Sequence, residues 1–460
     1  MTFQSRQSYD KGDFLNKTFY KSFFMLMVPM ALKELIAAFV NLLDTVMLGE
    51  FGKDVIAAVG IANQWYFLFT VVVFGTCGGA GVFASQYWGA NDLPKVKRVL
   101  GLNIILVIAA SFLFITPALL IPDRIIYIFR KDPVVIKYGA EYIRIACFSY
   151  LFAALTSAYD MSLCCSENAN VSFVSRFVGL VTNFVLNWIL IYGKLGFPRL
   201  GIKGAAIATI IARITELAII LGVIYGKKLV QSAKLKELFD IPKDMIGGYF
   251  KAALPVMLNE GAWALGTTVY SWVYAQISTD AVVITVIVQN IERLLLVFFH
   301  GGGNAAGIMI GKLVGGGDYD KAYNTAKKLF VLNMIFSLCI SMIFVAIRPL
   351  TLLPYKITPE IRQETLNILI LTAVLMNIKA LTFFLIVGVF RNGGATRNAA
   401  FIDIGSMWLI GVPIVAFCGL VLKVPLFYLY ILMMAEEVVK IAISVPYFFS
   451  RKWIKNLVRQ

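Results

Sequence analysis

At 460 residues the chain is 59% hydrophobic, only 15% charged and carries a formal net charge of +16, where soluble domains hold about 25% charged residues. Apolar stretches of about 20 residues, enough to cross a ~30 Å hydrocarbon layer, recur along the whole length, which excludes a soluble globular protein and marks an integral membrane protein. The six cysteines lie in or beside apolar segments without metal-like spacing, and the only histidine is His300; a histidine-built zinc or haem centre is excluded and no cofactor is expected.

The first 20 residues are polar and lack the form of a cleavable signal peptide. Apolar runs then predict twelve helical spans, near 22–48, 55–87, 99–121, 136–160, 171–192, 201–226, 249–275, 281–311, 327–347, 363–389, 399–420 and 424–449. Span 1 ends in AAFVNLLDTVMLGEFG (37–52), apolar almost throughout yet holding Asp44. That carboxylate sits roughly 6–9 Å deep at ~1.5 Å per residue, and residues 35–49 contain no other charge. An ionisable group at such depth is a functional candidate by default. Pro29, earlier in the same span, removes a backbone hydrogen bond and kinks the helix. It is a hinge candidate whose bend responds to the charge state of Asp44.

Span 5 reads NFVLNWILIY, placing Asn183 and Asn187 one turn apart on one helix face. Such amides either glue helices together or offer oxygens to a cation and N–H groups to a carboxylate. In span 6 Arg213 and Glu216 are three apart, and in span 12 Glu436 and Lys440 are four apart, spacings that pair locally. Glu260 in span 7 and Lys379 in span 10 have no such neighbour. They are candidates to pair with each other, lining a cavity or coupling to a proton. Glu292 and Arg293 in span 8 are adjacent and face different directions, so one of them is a cavity candidate.

An even number of spans puts both termini on one side. That side collects 24 Lys and Arg against 13 on the other, with five inside spans. By the positive-inside rule both termini are cytoplasmic, and the basic excess reports topology, not nucleic-acid binding. Shifting the sequence by 226 residues lays its second half on its first: Pro29 meets Pro255, Glu34 meets Glu260, Gly75 meets Gly301, Asp92 meets Asp318 and Pro133 meets Pro359. The expected fold is therefore an all-α polytopic membrane protein. Its twelve transmembrane helices form two six-helix lobes related by a pseudo-twofold axis along the membrane normal. The lobes are residues 1–225 and 249–460, joined by a cytoplasmic linker over 226–248. Asp44 meets Tyr270 in this alignment, so only the first half carries that carboxylate.

Tyr159–Asp160 and the run Gly315–Asp318 mimic the YD and GxGD signature of intramembrane aspartyl proteases. Asp318, however, is the repeat partner of Asp92 in a polar loop, where a solvated acid cannot share a proton with a partner. This remote alternative predicts peptide cleavage lost on Asp160→Ala.

The segments NLLDTVMLGEFG (41–52), FASQYWGANDLPKVKRV (83–99), GFPRLGIKGAAIAT (196–209) and FRNGGATRNAAFIDIGSMWLIGVP (390–413) resemble the multidrug and toxic compound extrusion (MATE) transporters. The resemblance extends over nearly the full length. It implies a secondary antiporter, not an enzyme, that exports amphipathic, often cationic compounds by alternating access in exchange for H+ or Na+. Asp44 matches the first-helix aspartate of the family's N-lobe cation site, Asn183 and Thr209 match further members of it, and Pro29 matches the proline at which the first helix bends. Asn187 stands where some members carry a second aspartate. One negative charge fewer favours H+ over Na+ at Asp44. Glu260 is closer to Pro255 than the family's helix-7 acid is to its proline, and no aspartate lies near Lys379, so coupling is expected in the N-lobe. The resemblance also implies a plasma-membrane location, small-molecule and lipid partners, no nucleic acid, and a functional monomer. A flippase for lipid-linked saccharides, a related fold, is the alternative. It needs a basic cavity, and the N-lobe spans supply only Lys33 and Arg213.

Overall fold

The computed structural model describes residues 17–355 and 357–459; the polar segment before Lys17 lies outside them. The first half of the chain folds into α1 (Lys17–Leu48), α2 (Lys53–Gly89), α3 (Leu93–Leu120), α4 (Pro122–Phe129), α5 (Pro133–Ala146), α6 (Phe148–Cys165), α7 (Ala169–Tyr192) and α8 (Ile202–Gly226). A short α9 (Leu235–Phe239) follows. The second half forms α10 (Lys243–Ile277), α11 (Thr279–Gly316), α12 (Tyr319–Thr351), α13 (Pro359–Phe383), α14 (Thr396–Ser406), α15 (Val412–Ala416) and α16 (Leu426–Phe449). Wider π-helical turns at Phe384–Arg391, Met407–Gly411 and Phe417–Val421 extend α13, link α14 with α15 and extend α15, respectively.

All twelve predicted spans are helical, and span 4 is broken at Cys147 between α5 and α6. Among the described residues, eight helices are long and apolar enough to cross a membrane. The protein is thus an all-helical, multi-pass membrane protein.

Local chemistry explains the helix starts, and the duplication repeats it. Asp92 caps α3 by accepting from the Lys95 N–H at 3.2 Å, and Asp318 occupies the N-cap of α12. Asp132 caps α5, accepting from the Val134 N–H at 2.9 Å, ahead of Pro133; Thr358 caps α13 ahead of Pro359. A side-chain acceptor followed by proline at the first helical position satisfies orphan donors and presets φ. Each pair lies at the 226-residue offset.

Packing divides the chain inside helices. One compact unit is Leu32–Val269; the other is Tyr270–Gln460 together with the chain up to Ala31. The boundaries fall within α1 and α10, not at the linker where the sequence repeat divides. Within Leu32–Val269, a Cβ on Gly75 of α2 would lie 2.9 Å from the Met257 Cα of α10, and one on Gly79 would lie 2.8 Å from the Ala253 Cα. Within the other unit, a Cβ on Gly301 of α11 would lie 2.7 Å from the Ala31 Cβ of α1. Gly301 and Ala31 are the repeat partners of Gly75 and Met257, so the same close helix crossing is built twice. Small residues let backbones approach to this range inside a membrane, where packing, not hydrophobicity, holds helices together.

The segment after α8 is pinned to α3. Lys97 pairs with Glu237 at 3.1 Å and Arg98 with Asp240 at 2.7 Å, while the Leu238 carbonyl sits where a side chain on Gly101 would be.

Candidate functional site: a carboxylate, two amides and a charged ladder

Asp44 lies on the part of α1 that belongs to Leu32–Val269 and is 6% exposed. Its Oδ1 accepts from the Asn187 Nδ2 at 2.5 Å, and the same amide donates to the Asn183 Oδ1 at 3.1 Å. The one-turn spacing on α7 thus brings one amide to the carboxylate and the second amide onto the first. At the end of α7 the Tyr192 hydroxyl donates to the Met47 carbonyl at 2.9 Å, fixing α7 against α1. Two buried polar atoms at this point, Asn187 Oδ1 and Asn183 Nδ2, have no hydrogen-bond partner. Buried polar atoms are rarely left so, and here they belong to the two amides linked to the Asp44 carboxylate.

Thr209 of α8 donates to the Ala205 carbonyl at 3.0 Å, and the Tyr142 hydroxyl of α5 lies against it within reach of the Asp44 charge. One turn on, Arg213 is close enough for its charge to act on Asp44. The Arg213 Nη1 donates to both oxygens of Glu216 at 3.0 Å each. The Arg176 Nη1 of α7 donates to Glu216 Oε2 at 3.1 Å. The Arg176 Nη2 lies 3.5 Å from Asp160 Oδ2 of α6, and the Lys33 ammonium of α1 lies 3.9 Å from the same oxygen. Signs alternate along the whole series. Gly179 leaves the room that Glu216 fills: a Cβ there would lie 2.7 Å from the Glu216 Cδ.

Arg176 is a correction to the reading of the sequence. Not among the basic residues expected in the N-lobe spans, it lies two turns inside α7, which starts at Ala169, with its side chain 15% exposed. The unit therefore holds three basic residues at this level. The available signal was the spacing of Arg176, Asn183 and Asn187, which share one face of α7. Asp160 is held by two cations, and Asp318 occupies the N-cap of α12 without a side-chain capping bond.

Pro29 is buried in α1 two residues before the boundary at Ala31. Glu260 belongs to Leu32–Val269 and packs beside Gly75. Lys379 pairs with Glu292 of α11, and Arg293 is exposed. A second network, not assembled by sequence reasoning, surrounds Lys440 of α16. Its ammonium lies 2.8 Å from Asp403, 2.5 Å from Glu436 and 3.4 Å from Glu437. Glu437 also accepts from the Thr382 hydroxyl at 2.6 Å, and Glu436 from Tyr270. Tyr270 is the repeat partner of Asp44, so the equivalent position carries a donor facing an acid, not an acid facing donors.

Comparison with known proteins agrees with this architecture. The MatE family model matches residues 29–189 and 255–429. The two stretches start at Pro29 and Pro255, the residues paired by the internal repeat. The chain is 25% identical over 457 residues to the uncharacterized transporter YisQ of Bacillus subtilis, covering 96% of each chain. It is 22% identical over 449 residues to the probable multidrug resistance protein NorM of Thermotoga maritima, covering 95% of this chain and 94% of that one. Among solved structures it superposes with a TM-score of 0.86, at 17% identity, on an outward-facing multidrug resistance MATE family transporter, covering 96% of this chain and 97% of that one. A variant of the Vibrio cholerae MATE transporter VcmN gives the same TM-score at 18% identity, covering 96% and 99%. Proteins of this kind are ion-coupled transporters of small molecules, not enzymes. With both halves of its repeat matched by one family model, the chain belongs to the MatE family of multidrug and toxic compound extrusion transporters.

Proposed function

We propose that the protein exports amphipathic small molecules across the plasma membrane in exchange for a cation held at Asp44, with both termini cytoplasmic and the monomer as the working unit. The observation that carries this reading is a buried carboxylate facing two amides whose remaining polar atoms are unpartnered. A proton or a bare cation neutralises Asp44, and Asn183, Asn187 and Thr209 surround it. With Asn187 in place of a second acid, H+ is the favoured coupling ion and Na+ the second. An occupied Asp44 no longer attracts the Asn187 amide in the same way, so ion occupancy changes what α1 packs against, and Pro29 provides the bend. Ion and exported compound then favour different conformations, as coupling requires.

Purified protein in proteoliposomes loaded with a fluorescent cationic dye tests this under a pH gradient alone and a sodium gradient alone. Dye movement driven by one gradient and abolished in Asp44→Asn is the expected result. Undiminished coupled efflux in Asp44→Asn defeats it. A second reading, flipping of a lipid-linked saccharide, draws on Arg176 as a third basic residue and predicts accumulation of the lipid-linked precursor in a deletion strain.

A further inference from the structure

The segment that follows α8 holds charge that the Asp44 site does not use. Its two acids are committed to α3, Glu237 to Lys97 at 3.1 Å and Asp240 to Arg98 at 2.7 Å. Its four lysines, Lys227, Lys228, Lys234 and Lys236, are all exposed, and none enters an ion pair among the described residues. Two of them, Lys228 and Lys234, line one open cavity of about 660 Å³ together with Tyr225, Ser232, Ala233 and Leu235. That volume falls within the ~300–1,000 Å³ of small-molecule sites.

Hydrogen bonds fix the wall of this cavity. The Gln231 amide, 1% exposed, donates to the Ser162 carbonyl at 3.0 Å and to the Ser166 hydroxyl at 2.8 Å, tying the segment to α6. The Tyr225 hydroxyl donates to the Ala233 carbonyl at 3.1 Å, bridging the two ends of the loop. The Lys228 backbone lies at φ +51°, in the left-handed region that glycine adopts more readily. Its N–H reaches the Tyr225 carbonyl at 3.3 Å, so the lysine is held at the turn that ends α8.

Depth and polarity point to the ligand. Tyr225 lies in the last turn of α8, a helix long and apolar enough to span a membrane. The cavity therefore opens where hydrocarbon gives way to phosphate groups. Tyr225, Leu235 and Phe239 are 50%, 73% and 45% exposed, an apolar fringe beside the lysines. A soluble anion has no use for that fringe, whereas the glycerol and first acyl carbons of a lipid do. The place is remote from Asp44, about 24 Å along α8 from Thr209. The second half of the chain lacks the feature. At the 226-residue offset Lys227 and Lys228 meet Trp453 and Ile454. There Trp453 is fully buried, and the Asn456 amide donates to the Val314 carbonyl at 2.8 Å.

We propose that this cavity binds the headgroup of an anionic phospholipid, its phosphate between the Lys228 and Lys234 ammonium groups and its acyl chains along Tyr225 and Leu235. Lysines clustered just beyond a spanning helix draw anionic headgroups by charge, and here a fixed wall gives them one seat.

The test is isothermal titration of the purified full-length protein, in a non-ionic detergent, with short-chain phosphatidylglycerol, short-chain phosphatidylcholine and inorganic phosphate. One lysine near an anionic headgroup strengthens binding about fivefold, so the two should favour phosphatidylglycerol over phosphatidylcholine by about twenty-fivefold. Lys228→Gln/Lys234→Gln should abolish that preference. Both side chains are exposed, so the variant keeps its fold, and an unchanged thermal transition verifies this. Lys227→Gln/Lys236→Gln removes the same charge outside the cavity and should retain most of the preference. Equal binding of the two lipids by the wild type overturns the proposal. An equal loss in the two double variants also overturns it, because diffuse surface charge then accounts for the binding. Inorganic phosphate bound as tightly as phosphatidylglycerol overturns it too, by assigning the cavity to a small soluble anion.

Discussion

Replacing Glu216 by glutamine removes one charge from the middle of the ladder while conserving its volume. Glu216 is 1% exposed and receives three guanidinium hydrogen bonds, two from Arg213 at 3.0 Å and one from Arg176 at 3.1 Å. A glutamine keeps one acceptor oxygen but turns an NH2 group toward a guanidinium. At least two charged hydrogen bonds are lost, at about 1.5–3 kcal/mol each; Arg176 is left with Asp160, which Lys33 also uses, and Arg213 loses its hydrogen-bonded acid. Breaking a buried pair by removing one partner costs about 3–5 kcal/mol, and the two routes to the figure agree. The assay is thermal unfolding of the detergent-solubilised protein, followed by intrinsic fluorescence, for Glu216→Gln, Arg213→Gln and the double variant. Because removing Arg213 as well restores the charge balance, the double variant should be more stable than the sum of the singles predicts, with a coupling of about 2 kcal/mol. Additive single effects, or a Glu216→Gln transition indistinguishable from wild type, would refute the ladder as an energetic unit.

Other outcomes follow from the packing and the second network. Gly301→Ala places a Cβ 2.7 Å from the Ala31 Cβ and should cost about 1–3 kcal/mol in the same unfolding assay. Gly222→Ala, whose added Cβ meets nothing within 4 Å, should be neutral or stabilising by up to about 1 kcal/mol. Lys440→Met leaves Asp403, Glu436 and Glu437 facing one another without their shared cation; folded yield should collapse, and adding Glu436→Gln should recover part of it. The Lys97 ammonium and the Lys234 backbone N–H beside Glu237 hold its carboxyl below the usual value of 4.5. A depressed folded-state value means that the contribution is present above the unfolded value and is lost as pH falls through the folded one. Protection of the Leu235–Phe239 amides, measured against their intrinsic exchange rates, should therefore fall as pH drops below about 4.5, and Glu237→Gln should remove that dependence.

What the sequence disclosed was what one helix, or one repeat, records by itself. The spacing of Asn183 and Asn187 put two amides on one face, and the 226-residue offset aligned Asp92 with Asp318 and Pro133 with Pro359, which proved to be matched helix starts. Arg213–Glu216 and Glu436–Lys440 are pairs within single helices, so periodicity reveals them. Periodicity carries no information about which helix packs on which. That is why Lys379 was considered with Glu260 while its partner is Glu292, and why the meeting of Lys33, Asp160 and Arg176 from three helices went unseen. Arg176 is hidden for a simpler reason: the polar run SENANVS resembles a loop, yet four of its residues are the opening of α7.

The placement of the unit boundaries inside α1 and α10 has a consequence for synthesis. The faces of α2 at Gly75 and Gly79 have nothing to close on until Ala253 and Met257 emerge, and the chain around Ala31 waits for Gly301. Neither unit can be completed from its own half of the gene. A chain cut in the 226–248 linker would yield two pieces, each missing a half-helix that the other holds.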